Sequence, residues 1–269
     1  RELRERTGMT SVEATKRLEW SSGRLTKMER GEWERPNPRD MRDLADLYGV
    51  TDEREREELI TLAKEGRERG WWHPYKKMLS DAYTTYIGLE EGAASVFRFD
   101  PSVISGLLQT ESYARAVIVG GPAELAEDQI EQRVEVRAKR QELLTREQDA
   151  LRLWAVLDEA ALHRQVGGPD VMRAQLEHLL ALSKLAKVTL QIVPFSAGAH
   201  AGVSGGFSIL QFPEASDSDA VYVENPAGEL FVEEDVEVEE FQTAFQRLQA
   251  QALSPEATIT MIAATVARP

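Results

Sequence analysis

Arg24, Lys27 and Arg30 recur at intervals of three within "SSGRLTKMERGEWERP", directly after Ser21, Ser22 and Gly23. On a helix that interval puts the three cations close to one face. Ser22 and Gly23 are small enough to let the amino end of such a helix approach a large partner. Free N–H groups and the helix dipole at that end favour phosphate. Arg24 and Lys27 are long enough to reach base edges or phosphates, and arginine is the usual partner of guanine. Arg35 and Asn37, in the following loop, are placed for backbone contacts. The chemistry this pattern suits is contact with double-stranded DNA. The competing reading is a helical hairpin whose basic residues sit on a solvated face.

The elements that must hold these residues are short helices. Residues 8–31, "GMTSVEATKRLEWSSGRLTKMERG", have the layout of a helix-turn-helix. Thr10 caps a helix that runs to Leu18 and turns Met9, Ala14 and Leu18 inward. Trp20 plugs the turn. Ser21 caps a second helix, Ser22–Arg30, which Gly31 stops; Leu25 and Met28 face in, and Ser22, Gly23, Arg24 and Lys27 face out. Glu29 is read as an internal brace rather than a DNA contact. Arg1–Thr7 is the tail of an earlier helix. Asn37 with Pro38 opens a fourth, and Thr51 caps a fifth. Residues 1–66 are therefore expected to form an all-α, five-helix domain. The segment 67–75, within "GRERGWWHPY", reads as a junction in which Trp71 and Trp72 are packing residues.

Residues 76–269 mix helix and strand. Helices are expected at 78–94, 111–118, 124–145, 172–185, 237–250 and 255–266. Strand signals fall at 96–99, 151–157, "VTLQIVPF", 206–212, 220–224 and 229–232. The last four are joined by short, turn-rich links that favour antiparallel hairpins. The fold class expected is α+β overall, with a mainly antiparallel sheet flanked by helices in the second domain.

Of the 269 residues, 42% are hydrophobic and 29% charged, a globular mix with material for a sizeable core. The net charge is −14, which at first sight opposes nucleic-acid binding. Acids, however, concentrate in 52–58, 124–131 and 233–240, whereas the first forty residues are mildly basic. No apolar run is long enough for a membrane span, and the N-terminus lacks a secretory-signal layout. The chain opens on Arg1 with no initiator methionine, which leaves room for residues before it. With no cysteine there is no disulfide, thiolate nucleophile or zinc–thiolate site, and a cytoplasmic setting is expected.

Catalytic candidates are few. His73, His163, His178 and His200 match no metal spacing. Ser105 before Gly106 lacks the nucleophile-elbow pattern. Gln109 and Tyr113, one helical turn apart, and His200, in the loop "SAGAHAGVSGG", are candidates for lining a ligand or partner site. No enzyme activity, cofactor or metal is expected.

Through Thr10, Leu18, Ser21, Leu25, Met28, Glu29, Gly31 and Pro36, residues 1–66 resemble the phage-repressor-type (Xre) helix-turn-helix domain. Ser11 stands where that family often carries a glutamine that braces the phosphate backbone, which makes Ser11 a further candidate contact. Glu19 stands where glycine is common, and Thr15 where alanine is. The rest resembles the C-terminal domain of actinobacterial antitoxin-like transcriptional regulators. The resemblance runs through "GWWHPY", "YIGLEEGAASVFRFD", "ISGLLQTESYARAVI", "RAKRQELL", "LDEAALHRQVGG", "VMRAQLEHLL", "VTLQIVPFSAGAHAG", "GFSILQF" and "VYVE". It departs at Ser105, where proline is usual. It implies a regulator that binds double-stranded DNA and works with a small partner protein. One short helix reads too few bases for genomic specificity, so a homodimer is expected. A small-molecule ligand is a further candidate. Two rivals remain open: a sensor or scaffold whose helix-turn-helix has lost DNA affinity, and a hydrolase built around His200.

Overall fold

The computed structural model describes residues 1–21, 23–29, 37–65, 70–121, 124–213, 218–225 and 228–267. The chain divides into two units, Arg1–His73 and Pro74–Pro269. The division falls inside the segment read as a junction.

Among the described residues the first unit holds five helices: α1 (Glu2–Arg6), α2 (Ser11–Arg17), α3 (Arg24–Glu29), α4 (Pro38–Leu47) and α5 (Glu53–Glu65). Their starts follow capping chemistry. Thr10 and Glu13 form a reciprocal capping box on α2, and Asn37 Oδ1 accepts the Arg39 N–H on α4 at 3.1 Å. The cap of α5 is Asp52 rather than Thr51: its carboxylate accepts the Arg54 and Glu55 N–H groups at 2.8 and 3.0 Å. A carboxylate there also complements the helix dipole, which a hydroxyl does not. Ala14, Leu25 and Leu44 form a small buried cluster, with Leu18, Trp20, Met28 and Met41 packed around it. Trp20 thus fills the turn between α2 and α3, as its position suggests.

The second unit runs α6 (Asp81–Gly92), β1 (Ser95–Asp100), α7 (Glu111–Val119), α8 (Glu127–Gln141), β2 (Arg152–Asp158), α9 (Ala160–His163) and α10 (Pro169–Leu182). It continues with β3 (Val188–Val193), β4 (Phe207–Gln211), β5 (Ala220–Asn225), β6 (Gly228–Val232), α11 (Asp235–Gln251) and α12 (Pro255–Val266). The sheet order is β3-β2-β1-β4-β5-β6. β1, β2 and β3 are parallel neighbours joined by helical crossovers, and β4, β5 and β6 form an antiparallel meander. The fold is α+β, with antiparallel pairing in the majority and a parallel half that the hairpin reading did not foresee. β3 and β4 are not a hairpin. The chain between them crosses two strands, and β4 joins the far side of β1.

The glycine-rich loop makes that crossing. A Cβ at Gly202 would fall 2.1 Å from the Phe99 ring, and one at Gly206 would fall 2.8 Å from the Phe99 carbonyl. Only glycine lets the backbone lie against the end of β1 so closely. Side chains alternate between the two sheet faces. Leu153, Ala155 and Leu157 join the larger core with Tyr113, Leu176, Leu179 and Ile262. Val156, Phe207, Ile209 and Val221 pack against Phe245 and Leu248 of α11 on the other face. Edge strand β3 is blunted: the Ile192 N–H goes to Thr258 Oγ1 and its carbonyl takes the Leu253 N–H.

Candidate functional site

Gly23 sets the start of α3. Its φ of +83° cannot belong to a right-handed helix, and its carbonyl accepts the Lys27 N–H at 3.0 Å. The capping position is therefore Gly23, and the helix begins at Arg24, two residues later than the expected cap at Ser21 implies. Ser21 is exposed, and its carbonyl accepts the Arg24 N–H at 3.2 Å. Leu25 is buried and Met28 half-buried, so the inward face is as expected. Gly23 and Lys27 lie outward and exposed. Ser22, Arg30 and Arg35 lie outside the described residues.

Arg24 is not a free cation. Its guanidinium pairs with the buried carboxylate of Asp40 on α4 and stacks 4.6 Å above the Trp20 ring. That pair brings the first turns of α3 and α4 together, and 39% of the Arg24 side chain remains exposed. Asp40 escaped the sequence reading because an acid in a first turn passes as an ordinary dipole partner. Asn37 is half-buried and uses its side-chain oxygen as the α4 cap. Ser11 is half-buried at the first position of α2, and its carbonyl accepts the Thr15 hydroxyl at 2.7 Å. Further exposed cations among the described residues of this unit include Lys16, Arg17, Arg39 and Arg42.

Glu29 is the internal brace it was read to be. Arg4 of α1 donates to it through two nitrogens, at 2.7 and 3.0 Å, and donates a third bond to the Met9 carbonyl. The Arg4 bonds hold the Glu29 carboxyl below the usual glutamate range. Glu19 occupies the left-handed region at φ +54°, the conformation that explains why glycine suits this turn.

In the second unit a cavity of about 950 Å³ opens between α6, α8 and the end of the sheet. Arg98, Arg133, Arg137 and Arg140 line it, with Asp100, Glu224 and Glu229, and with Tyr83, Val117 and Phe207 as apolar surface. Two of the arginines are neutralised. Arg140 is buried with Glu90, at 2.6 and 2.8 Å, and Tyr86 donates its hydroxyl to the same carboxylate at 2.7 Å. Burial opposes the Arg140 charge, but Glu90 more than offsets it and holds the guanidinium firmly protonated. Arg98 grips both oxygens of Asp100 at 2.9 Å and donates to Ser208 at 3.0 Å. Glu229 accepts from Ser80 at 2.8 Å and from Tyr222 at 3.3 Å.

Of the residues proposed to line a site, Gln109 is on the cavity wall. It donates to the Ile104 carbonyl and accepts from Arg137, both at 2.7 Å. Tyr113 is buried in the core and does not line the cavity; its oxygen accepts the Ile104 N–H at 3.1 Å. His200 stands apart from both. One ring nitrogen meets Asp158 at 3.2 Å, and the other accepts the Gly202 N–H at 3.2 Å. The arginines of α8 were missed, although the signal was present. Arg133, Arg137 and Arg140 follow at i, i+4 and i+7, a stripe on one helical face.

The helix-turn-helix domain family matches residues 1–59. A second family, described as a domain of unknown function (DUF5753), matches residues 83–264. No curated protein matches the chain. Among the described residues no helix is long and apolar enough to cross a membrane. With a match that extends over well more than half its length, the chain belongs to the DUF5753 family, here carrying an N-terminal helix-turn-helix domain.

Proposed function

We propose that the protein is a sequence-specific transcription regulator of the Xre type, similar to the actinobacterial antitoxin-like group, acting in the cytoplasm as a homodimer. The observation that carries this reading is the amino end of α3: Leu25 is buried while Ser21, Gly23 and Lys27 are exposed. A helix-turn-helix uses that end in the major groove. Lys27 is the cation available for phosphate or base contact. Arg24 adds charge at the same end while its bond to Asp40 fixes how α3 is presented. Ser11 and Asn37 serve backbone positioning, with Arg30 and Arg35 as further phosphate partners. The second unit dimerises and senses a ligand or a small partner protein.

A gel shift of the full chain with genomic fragments at low salt tests this. Lys27→Ala is expected to weaken binding about tenfold, as loss of one charged contact does. Absence of any shift at low salt contradicts the reading.

The scaffold reading draws on one observation: the best base-reading residue, Arg24, is already committed to Asp40. Under it, Arg24→Ala and Lys27→Ala leave partner binding intact and no operator is found. A hydrolase centred on His200 has less support. Both ring nitrogens are engaged, which leaves none to take a proton from a nucleophile. We propose no enzyme activity.

A further inference from the structure

We infer that the cavity of the second unit binds an organic anion, a carboxylate or phosphate ester on an apolar body, held by Arg133 and Arg137 of α8. The inference deepens the reading of this unit as the sensing half and rests on it.

Four arginines, Arg98, Arg133, Arg137 and Arg140, stand with four carboxylates, Glu90, Asp100, Glu224 and Glu229, but they do not all pair. Glu90 and Asp100 are occupied by Arg140 and Arg98, and Glu229 by two hydroxyls. Glu224 is solvent-exposed. Among the described residues, neither Arg133 nor Arg137 pairs with a carboxylate. Arg133 Nε is buried with no hydrogen-bond partner, and Arg137 spends one nitrogen on the neutral amide of Gln109. A buried guanidinium nitrogen left unpaired is costly unless something arrives to accept its bond. Burial also pushes the Arg137 pKa below its ordinary value; Arg140 adds repulsion in the same direction, and Tyr83 and Glu224 offset part of the shift. An incoming oxyanion would relieve both.

Arginine forks suit two-oxygen acceptors, and both carboxylate and phosphate offer that geometry. The cavity volume, about 950 Å³, exceeds what a bare inorganic anion needs and falls in the range of small-molecule sites. The apolar surface of Tyr83, Val117 and Phe207 is available to the rest of the molecule.

Calorimetry on the full chain, without DNA, tests the inference with three probes: 1-naphthoate, 1-naphthyl phosphate and 1-naphthylmethylamine. Because no DNA is present, a failed operator search and a failed ligand site show up separately. Binding of either anion, with the amine silent, supports the site and tells which oxyanion it prefers. Arg133→Gln should weaken the anion about tenfold or more. The same variant should melt higher than wild type without ligand, because a buried Nε–H without an acceptor has gone. Val117→Trp, which fills the cavity without changing charge, should also lose binding. The inference is overturned if neither anion binds at millimolar concentration, if the amine binds equally well, or if both variants bind like wild type.

Discussion

The two units use cations in opposite ways. In the first, Lys16, Arg17, Lys27, Arg39 and Arg42 stand in solvent, and tied-down arginines such as Arg4, Arg24 and Arg56 hold helices together. In the second, Arg98, Arg133, Arg137 and Arg140 converge on one cavity, and two of them are neutralised by buried acids. A net charge of −14 describes neither arrangement. Surface cations answer to a partner's field, which is long-ranged and screened by salt. Buried cations answer to individual oxygens within bonding distance.

The largest effect should come from breaking a buried pair. Glu90→Ala leaves Arg140 charged without its acid inside the protein, so the second unit should lose about 3–5 kcal/mol in urea denaturation. Replacing both partners with apolar residues, as Glu90→Leu with Arg140→Met, should restore most of that loss. If the single variant costs no more than a surface pair does, the contrast between the units fails.

The pair in the first unit is smaller and carries a pH signature. Glu29→Gln should cost about 1–2 kcal/mol at neutral pH, since Arg4 keeps only a weaker neutral acceptor. The sign of the pH dependence follows from the lowered carboxyl pKa. The stabilisation is present above the unfolded-state value and is lost as pH falls through the lower folded one. Wild type should therefore weaken below about pH 4.5, and the variant should show a flatter profile. Glu13, lowered by the Thr10 N–H, adds to the same slope. Tryptophan fluorescence suits the measurement, because Trp20, Trp71 and Trp72 lie in this unit and Trp154 in the other.

Local chemistry was well written in the sequence. Thr10, Asn37 and the Glu29 brace could be read from caps and from the helix-turn-helix pattern, because each acts within a few residues or one motif. The parallel half of the sheet could not. Whether 96–99 pairs with 151–157 depends on helices packing between them, and short strand patterns look alike in either direction. The Arg24–Asp40 and Arg140–Glu90 pairs were hidden for a related reason. A charged residue on a helix reads as solvated until another element covers it. The α8 stripe was missed too, although the spacing of Arg133, Arg137 and Arg140 alone marks a single cationic face.

Glu19→Gly offers a smaller test, confined to the turn. The left-handed backbone there costs a non-glycine residue about 1 kcal/mol, so the variant should be more stable by up to that amount. Lys27→Ala should be smaller still in stability, within about 0.5 kcal/mol, as expected for an exposed side chain. A larger stability loss from Lys27→Ala would mean that it braces the fold as Arg4 does.

The dependence of DNA affinity on salt, for wild type and Lys27→Ala side by side, reaches the central claim most directly. If α3 presents Lys27 to the duplex, log K against log salt should be steep for the full chain. The variant should lose about one unit of slope while its melting temperature stays put. Equal slopes, or no measurable binding of wild type at low salt, would contradict a DNA-reading role for this helix.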